Sequence, residues 1–121
     1  MSVLDSLLEE VESHPKDEQI KVICDTIWEE ERHGGDYTEE VLEEMPRGPN
    51  VFLTLKAPDR YKGMRTYLSL EREAPEKYVL ITSIKDGETL KRVKAVEVKD
   101  HRPKKVLHAF AEYLQFLRGK L

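Results

Sequence analysis

A chain of 121 residues with 36% charged side chains, one cysteine and a net charge of −4 reads as a single domain, 1–121, that no disulfide framework can staple. No apolar run approaches a membrane span, and the start MSVLDSLLEEVES lacks the basic segment and cleavage site of a secretory signal, so a cytoplasmic protein is expected. Abundant Glu, Lys and Arg with short loops follow the tendency of thermophile proteins.

The first part, 1–50, reads as acidic and helical. Val3, Leu4, Leu7, Leu8 and Val11 recur at helical spacing, with Glu9, Glu10 and Glu12 on the polar side. Pro15 opens a second helix, Ile20, Ile23, Cys24, Ile27 and Trp28 form its apolar stripe, and Gly34-Gly35 ends it. Cys24 reads as a buried thiol of a reducing compartment. Asp36 with Glu39 three residues later resembles a capping box for a short third helix through Val41, Leu42 and Met45, closed by Pro46 and Pro49.

Residues 51–99 read as four antiparallel strands in a meander. The runs Val51 to Lys56, Met64 to Glu73 and Lys77 to Lys85 are separated by turn-rich segments around Pro58-Asp59 and Ala74-Pro75, and a fourth strand follows Asp86-Gly87. A two-residue Asp-Gly turn tolerates positive φ at both positions. Placed at the centre of the hairpin, it sets Ile84 opposite Thr89, Thr82 opposite Lys91 and Leu80 opposite Val93. The alternation then buries Leu53, Leu55, Leu68 and Leu70 and turns Phe52, Lys56, Arg65, Tyr67, Ile81, Arg92 and Lys94 to a second face. The pattern breaks at Ala95-Val96, which marks a bulge or a change of cover.

The last part, 100–121, reads as a long C-terminal helix from about Pro103 to Arg118. Leu107, Phe110, Leu114, Leu117 and Leu121 are spaced 3, 4, 3, 4, a heptad-like seam. That seam fits a second subunit, and with Val106 and Tyr113 it also fits the chain's own sheet. The expected fold class is therefore α+β: N-terminal helices, a four-stranded antiparallel meander and a long terminal helix.

Charge divides along the same lines. Residues 1–50 hold four Lys and Arg against fifteen Asp and Glu, a net of −11, while the remainder holds sixteen against nine, a net of +7. The basic half is suited to a polyanion. Single-stranded bases stack on aromatic rings while Lys and Arg neutralise phosphates, so the second sheet face, extended by Arg60, Tyr61 and Lys62 of the first hairpin loop, is a candidate platform for single-stranded DNA or RNA. The same residues have plainer roles open to them. Phe52 and Ile81 suit a second core face, Tyr67 and Trp28 suit packing, and Lys56, Arg92 and Lys94 suit strand-edge charges that resist aggregation.

The order of acidic helices, four-stranded antiparallel sheet and terminal helix with the seam Leu107 to Leu121 resembles the ThermoDBP-type single-stranded DNA-binding proteins of hyperthermophilic archaea; Whirly-type proteins are similar in outline. The resemblance implies a dimer held by the C-terminal helices and a cleft, apolar at its floor and basic at its rim, that binds single strands with little sequence preference.

No catalytic signature competes with this. His14, His33, His101 and His108 lack metal-binding spacing, Cys24 has no CxxC partner, and Gly34-Gly35 lacks the remainder of a phosphate loop, so neither an enzyme nor a cofactor is expected. The acidic residues from Glu29 to Glu44 with His33 have the chemistry to gather a divalent cation, although a charge run on helices is far more often a solvated face. The alternative is an oligomerising protein-interaction module that uses the seam helix or the acidic surface.

Overall fold

The computed structural model describes residues 38–59, 62–100, 102–117 and 119, with scattered positions between 9 and 29. The expected first two helices, Cys24, Trp28, Arg60, Tyr61 and Leu121 lie outside the described residues, apart from those scattered positions. The elements are α1 (Glu39–Glu44), β1 (Val51–Ala57), β2 (Arg65–Ala74), β3 (Lys77–Asp86), β4 (Thr89–Val98) and α2 (Pro103–Leu117). Thr38 caps α1, its hydroxyl accepting the Val41 N–H at 3.3 Å, while Glu39 and Glu40 sit at the positive end of the helix dipole. The capping side chain is therefore Thr38, two residues beyond the expected Asp36.

The strands form one antiparallel sheet in the order β1-β2-β3-β4, the expected meander. The expected α+β class with a long terminal helix is corrected. The helices described end to end, α1 and α2, have 6 and 15 residues, and the architecture is mainly β with small helices. At roughly 22 Å, the 15 helical residues of α2 are no longer than the strands, whose 7 to 10 residues span roughly 23 to 33 Å. Gly119 follows with φ 73°, a left-handed conformation that ends helices.

One face of the sheet and the inner side of α2 make the core. Leu53, Leu55, Leu68, Leu70, Tyr78, Leu80 and Val98 meet Val106, Phe110, Leu114 and Leu117. Three of the five seam residues, Phe110, Leu114 and Leu117, are thus buried against their own sheet, which corrects their expected role in dimerisation. The physical reason is that the sheet's leucines need cover, and α2 supplies it within the chain.

The ladders carry three register shifts, one at Glu73 beside the β2–β3 turn and two that redirect side chains near the candidate surfaces. β1 pairs Val51 with Glu71 but Leu53 with Leu70, so Phe52 is the extra residue; it packs against the core, its ring 6.0 Å from Tyr78. The β3/β4 hairpin pairs Asp86 with Thr89, which makes Gly87-Glu88 the turn rather than Asp86-Gly87. Only Gly87 has positive φ there, at 60°, as in turns that need glycine at the first central position alone. The expected pairing of Ile84 with Thr89 is therefore replaced by Ile84 with Lys91. The second bulge falls at Val93, between Ser83–Arg92 and Thr82–Lys94, rather than at Ala95-Val96.

The packing leads to a clear mutational contrast. Phe110→Ala is expected to lower the unfolding free energy by about 3 to 5 kcal/mol in a urea titration, as for large core side chains. Phe116→Ala, at a side chain 52% exposed, is expected to stay within about 0.5 kcal/mol.

Candidate nucleic-acid interface

The second sheet face is buried over β1, β2 and β3. Tyr67 is 0% and Ile81 1% exposed, and Thr54, Ser69, Val79 and Ser83 around them are buried too. The segment from α1 to β1 packs on the β1 and β2 side of this face. Thr54 donates its hydroxyl hydrogen to the Pro46 carbonyl at 2.8 Å, its oxygen lies 3.1 Å from that of Ser69, and Met45 is buried. Tyr67 and Ile81 therefore present no surface on which a base can stack, a correction to the expected platform. Phe52 leaves it as well, through the first bulge.

The basic residues expected beside them are mostly engaged. Glu44 on α1 accepts from Arg65 at 2.6 Å and from the Tyr67 hydroxyl at 3.2 Å. The Tyr67 phenol is pushed up to about 12, first by burial and then by the Glu44 charge and hydrogen bond, with Arg65 pulling it partly back. Lys56 reaches the Asp59 carboxylate, donates to the Ala57 carbonyl at 2.6 Å and lies 5.7 Å above the Tyr67 ring. Asp59 also accepts the Thr66 N–H at 3.0 Å, so the Lys56 pair staples the start of the first hairpin loop. Arg92 pairs with the buried carboxylate of Glu71 at 2.8 Å while leaving 63% of its side chain exposed. Removing Arg92 would strand a buried charge, so its loss tests stability rather than binding. Lys62 is exposed.

Lys94 behaves differently. The bulge at Val93 places it opposite Thr82, on the α2 side of the sheet, where its ammonium lies 6.0 Å from the Tyr113 ring centroid. There a single helix leaves a strip of β4 uncovered, and an open groove of about 630 Å³ runs between β4 and α2. Leu80 and Val96 form its floor, Ala109 and Tyr113 the helical wall, and Lys99, Lys105, His108 and Glu112 its edges. Asp100 lies at one end, but Arg102 binds it twofold, at 3.0 and 2.7 Å. That side-chain pairing, with the Arg102 N–H, holds the Asp100 carboxyl down to about 2. Phe116 lies exposed beyond Tyr113, its ring 6.1 Å away.

Sequence reasoning missed this groove because it assigned residues to sheet faces before asking what covers them. A signal was present: Lys105, His108, Ala109, Glu112 and Tyr113 recur at spacings of 3, 1, 3 and 1 and line one flank of α2, beside the stripe that faces the core.

A pH dependence follows from Tyr67. Its folded-state value lies above the ordinary 10.0, so the stability it contributes is complete below about pH 10 and is lost as pH rises toward about 12. A tyrosinate absorbance titration is expected to show one phenol ionising near pH 12, and Tyr67→Phe to remove that phase. Complete ionisation of all phenols of the folded protein before pH 11 would contradict the buried Tyr67–Glu44 arrangement.

Comparison of this chain with protein-family models, with curated proteins and with solved structures finds no match.

Proposed function

We propose that this chain binds single-stranded nucleic acid in the groove between β4 and α2, chiefly through stacking and phosphate contacts that do not depend on sequence. The observation that carries the reading is the groove's chemistry: an apolar floor of Leu80 and Val96, the Tyr113 ring on its wall, and Lys94, Lys99 and Lys105 around it. A single strand offers the matching pattern of flat apolar bases on a regularly charged backbone. Duplex DNA keeps its bases stacked inside and offers the groove only phosphates. Asp100 is paired with Arg102, so that Lys99 and Lys105 share the groove with Glu97 and Glu112, and Lys94 adds a third ammonium beside the Tyr113 ring.

Kinship with the ThermoDBP-type proteins and an intracellular setting in a thermophile belong to the same proposal. A homodimer would need a surface other than Phe110, Leu114 and Leu117, which are used within the chain. A second reading has its own observation. β4 is an edge strand, exposed from Thr89 to Ala95, with Leu90 and Val93 open to solvent, and such an edge accepts an added peptide strand.

Fluorescence anisotropy with labelled oligo-dT, oligo-U and a duplex separates these readings. Binding is expected to favour the single strands and to weaken with salt, with a log–log slope of about −2 for three lysine–phosphate contacts. Lys94→Ala combined with Lys105→Ala is expected to lower affinity and flatten that slope. Absence of binding to either single strand at low salt would overturn the proposal and favour the peptide-strand reading.

A further inference from the structure

Three carboxylates line the groove: Asp100 is taken by Arg102 and Glu97 belongs to the β4 position opposite Val79, which leaves Glu112 as the carboxylate on the helical wall. It is exposed on the flank of α2, one turn beyond His108 and next to Tyr113, and it lines the same space as Lys99 and Lys105. A carboxylate there repels phosphate, and among the described residues it has no ion pair comparable to the one that Arg102 makes with Asp100. What it does attract is an N–H donor. Resting on the function proposed above, we infer that Glu112 is a base-reading residue that favours bases carrying an exocyclic amino group over thymine and uracil.

Donor and acceptor patterns set this preference. Ionised carboxylates only accept hydrogen bonds, and a Glu or Asp side chain is the ordinary acceptor for the cytosine amino group. Thymine and uracil present a single N–H flanked by two carbonyl oxygens on their pairing edge, and those oxygens are repelled by a carboxylate. Tyr113, the neighbour of Glu112, supplies the flat surface that orients a base in the groove, while Lys94 beside that ring and Lys105 at the groove edge remain for the backbone. Phosphate contacts would then hold the strand in any sequence, and Glu112 would grade the sequences that it holds.

The test compares oligo-dC with oligo-dT of equal length at pH 8, bound by the full chain, by Glu112→Ala and by Lys94→Ala. The unaltered chain is expected to bind oligo-dC about tenfold more tightly. Glu112→Ala is expected to remove that ratio, and Lys94→Ala to weaken both oligonucleotides while preserving it. Using the ratio cancels the general gain in affinity that follows from deleting a negative charge. Equal binding of the two by the unaltered chain, or a preference that survives Glu112→Ala, would overturn the inference and leave the proposed function standing. No binding of either at low salt would overturn both. An unchanged unfolding midpoint for Glu112→Ala, expected for an exposed helix residue, ties any loss of the ratio to the groove.

Discussion

Among the described residues, one helix covers the apolar face of a four-stranded sheet, and that mismatch of widths governs this side of the molecule. An α-helix with its side chains is about 10 Å across, whereas the axes of four strands spread over roughly 14 Å, with side chains adding to both edges. Phe110, Leu114 and Leu117 seat α2 on the leucines of β1, β2 and β3, the densest part of the apolar face. The strip left over falls on β4. Its side chains alternate with solvent on one side and the flank of α2 on the other, which is why a half-buried valine, a tyrosine ring and several lysines share one groove.

Bulges decide which residues belong to that strip. Each inserts one residue into a ladder whose side chains alternate with period two, so every residue beyond it changes face. At Phe52 the effect is local and turns an aromatic ring into the core beside Tyr78. At Val93 it is larger: Arg92 stays with Ser83 on the buried second face, and Lys94 passes to the α2 side. Two basic residues separated by a single position end on opposite surfaces, one tied to Glu71 and the other beside Tyr113.

Charge pairing completes the division. On the second face Glu44 holds Arg65 and Glu71 holds Arg92, so the cations there are matched by carboxylates. A matched pair at a partly buried site contributes to holding its elements together and has little charge left for a polyanion. Around the groove the balance differs, because Arg102 consumes Asp100 and leaves Lys99 and Lys105 in the lining beside Glu97 and Glu112, with Lys94 next to Tyr113.

The sequence by itself determined the four strands to within a residue or two, their meander order and the start of the terminal helix near Pro103, because alternation, turn residues and helical spacing are local signals. It also determined the inner row of that helix, since 3, 4 spacing marks one face of a helix whatever lies against it. What lies against it was decided by the tertiary structure, which set the chain's own sheet against Phe110, Leu114 and Leu117. The tertiary structure alone also decided the bulge positions, because one inserted residue costs little and leaves no compositional mark. The burial of Tyr67 and Ile81 was decided in the same way, since an aromatic or branched residue on an alternating strand reads alike whether it meets solvent or a second layer. The β4–α2 groove lay beyond the sequence for a related reason: it is defined by how far one element falls short of covering another, a distance that no pattern of residues encodes.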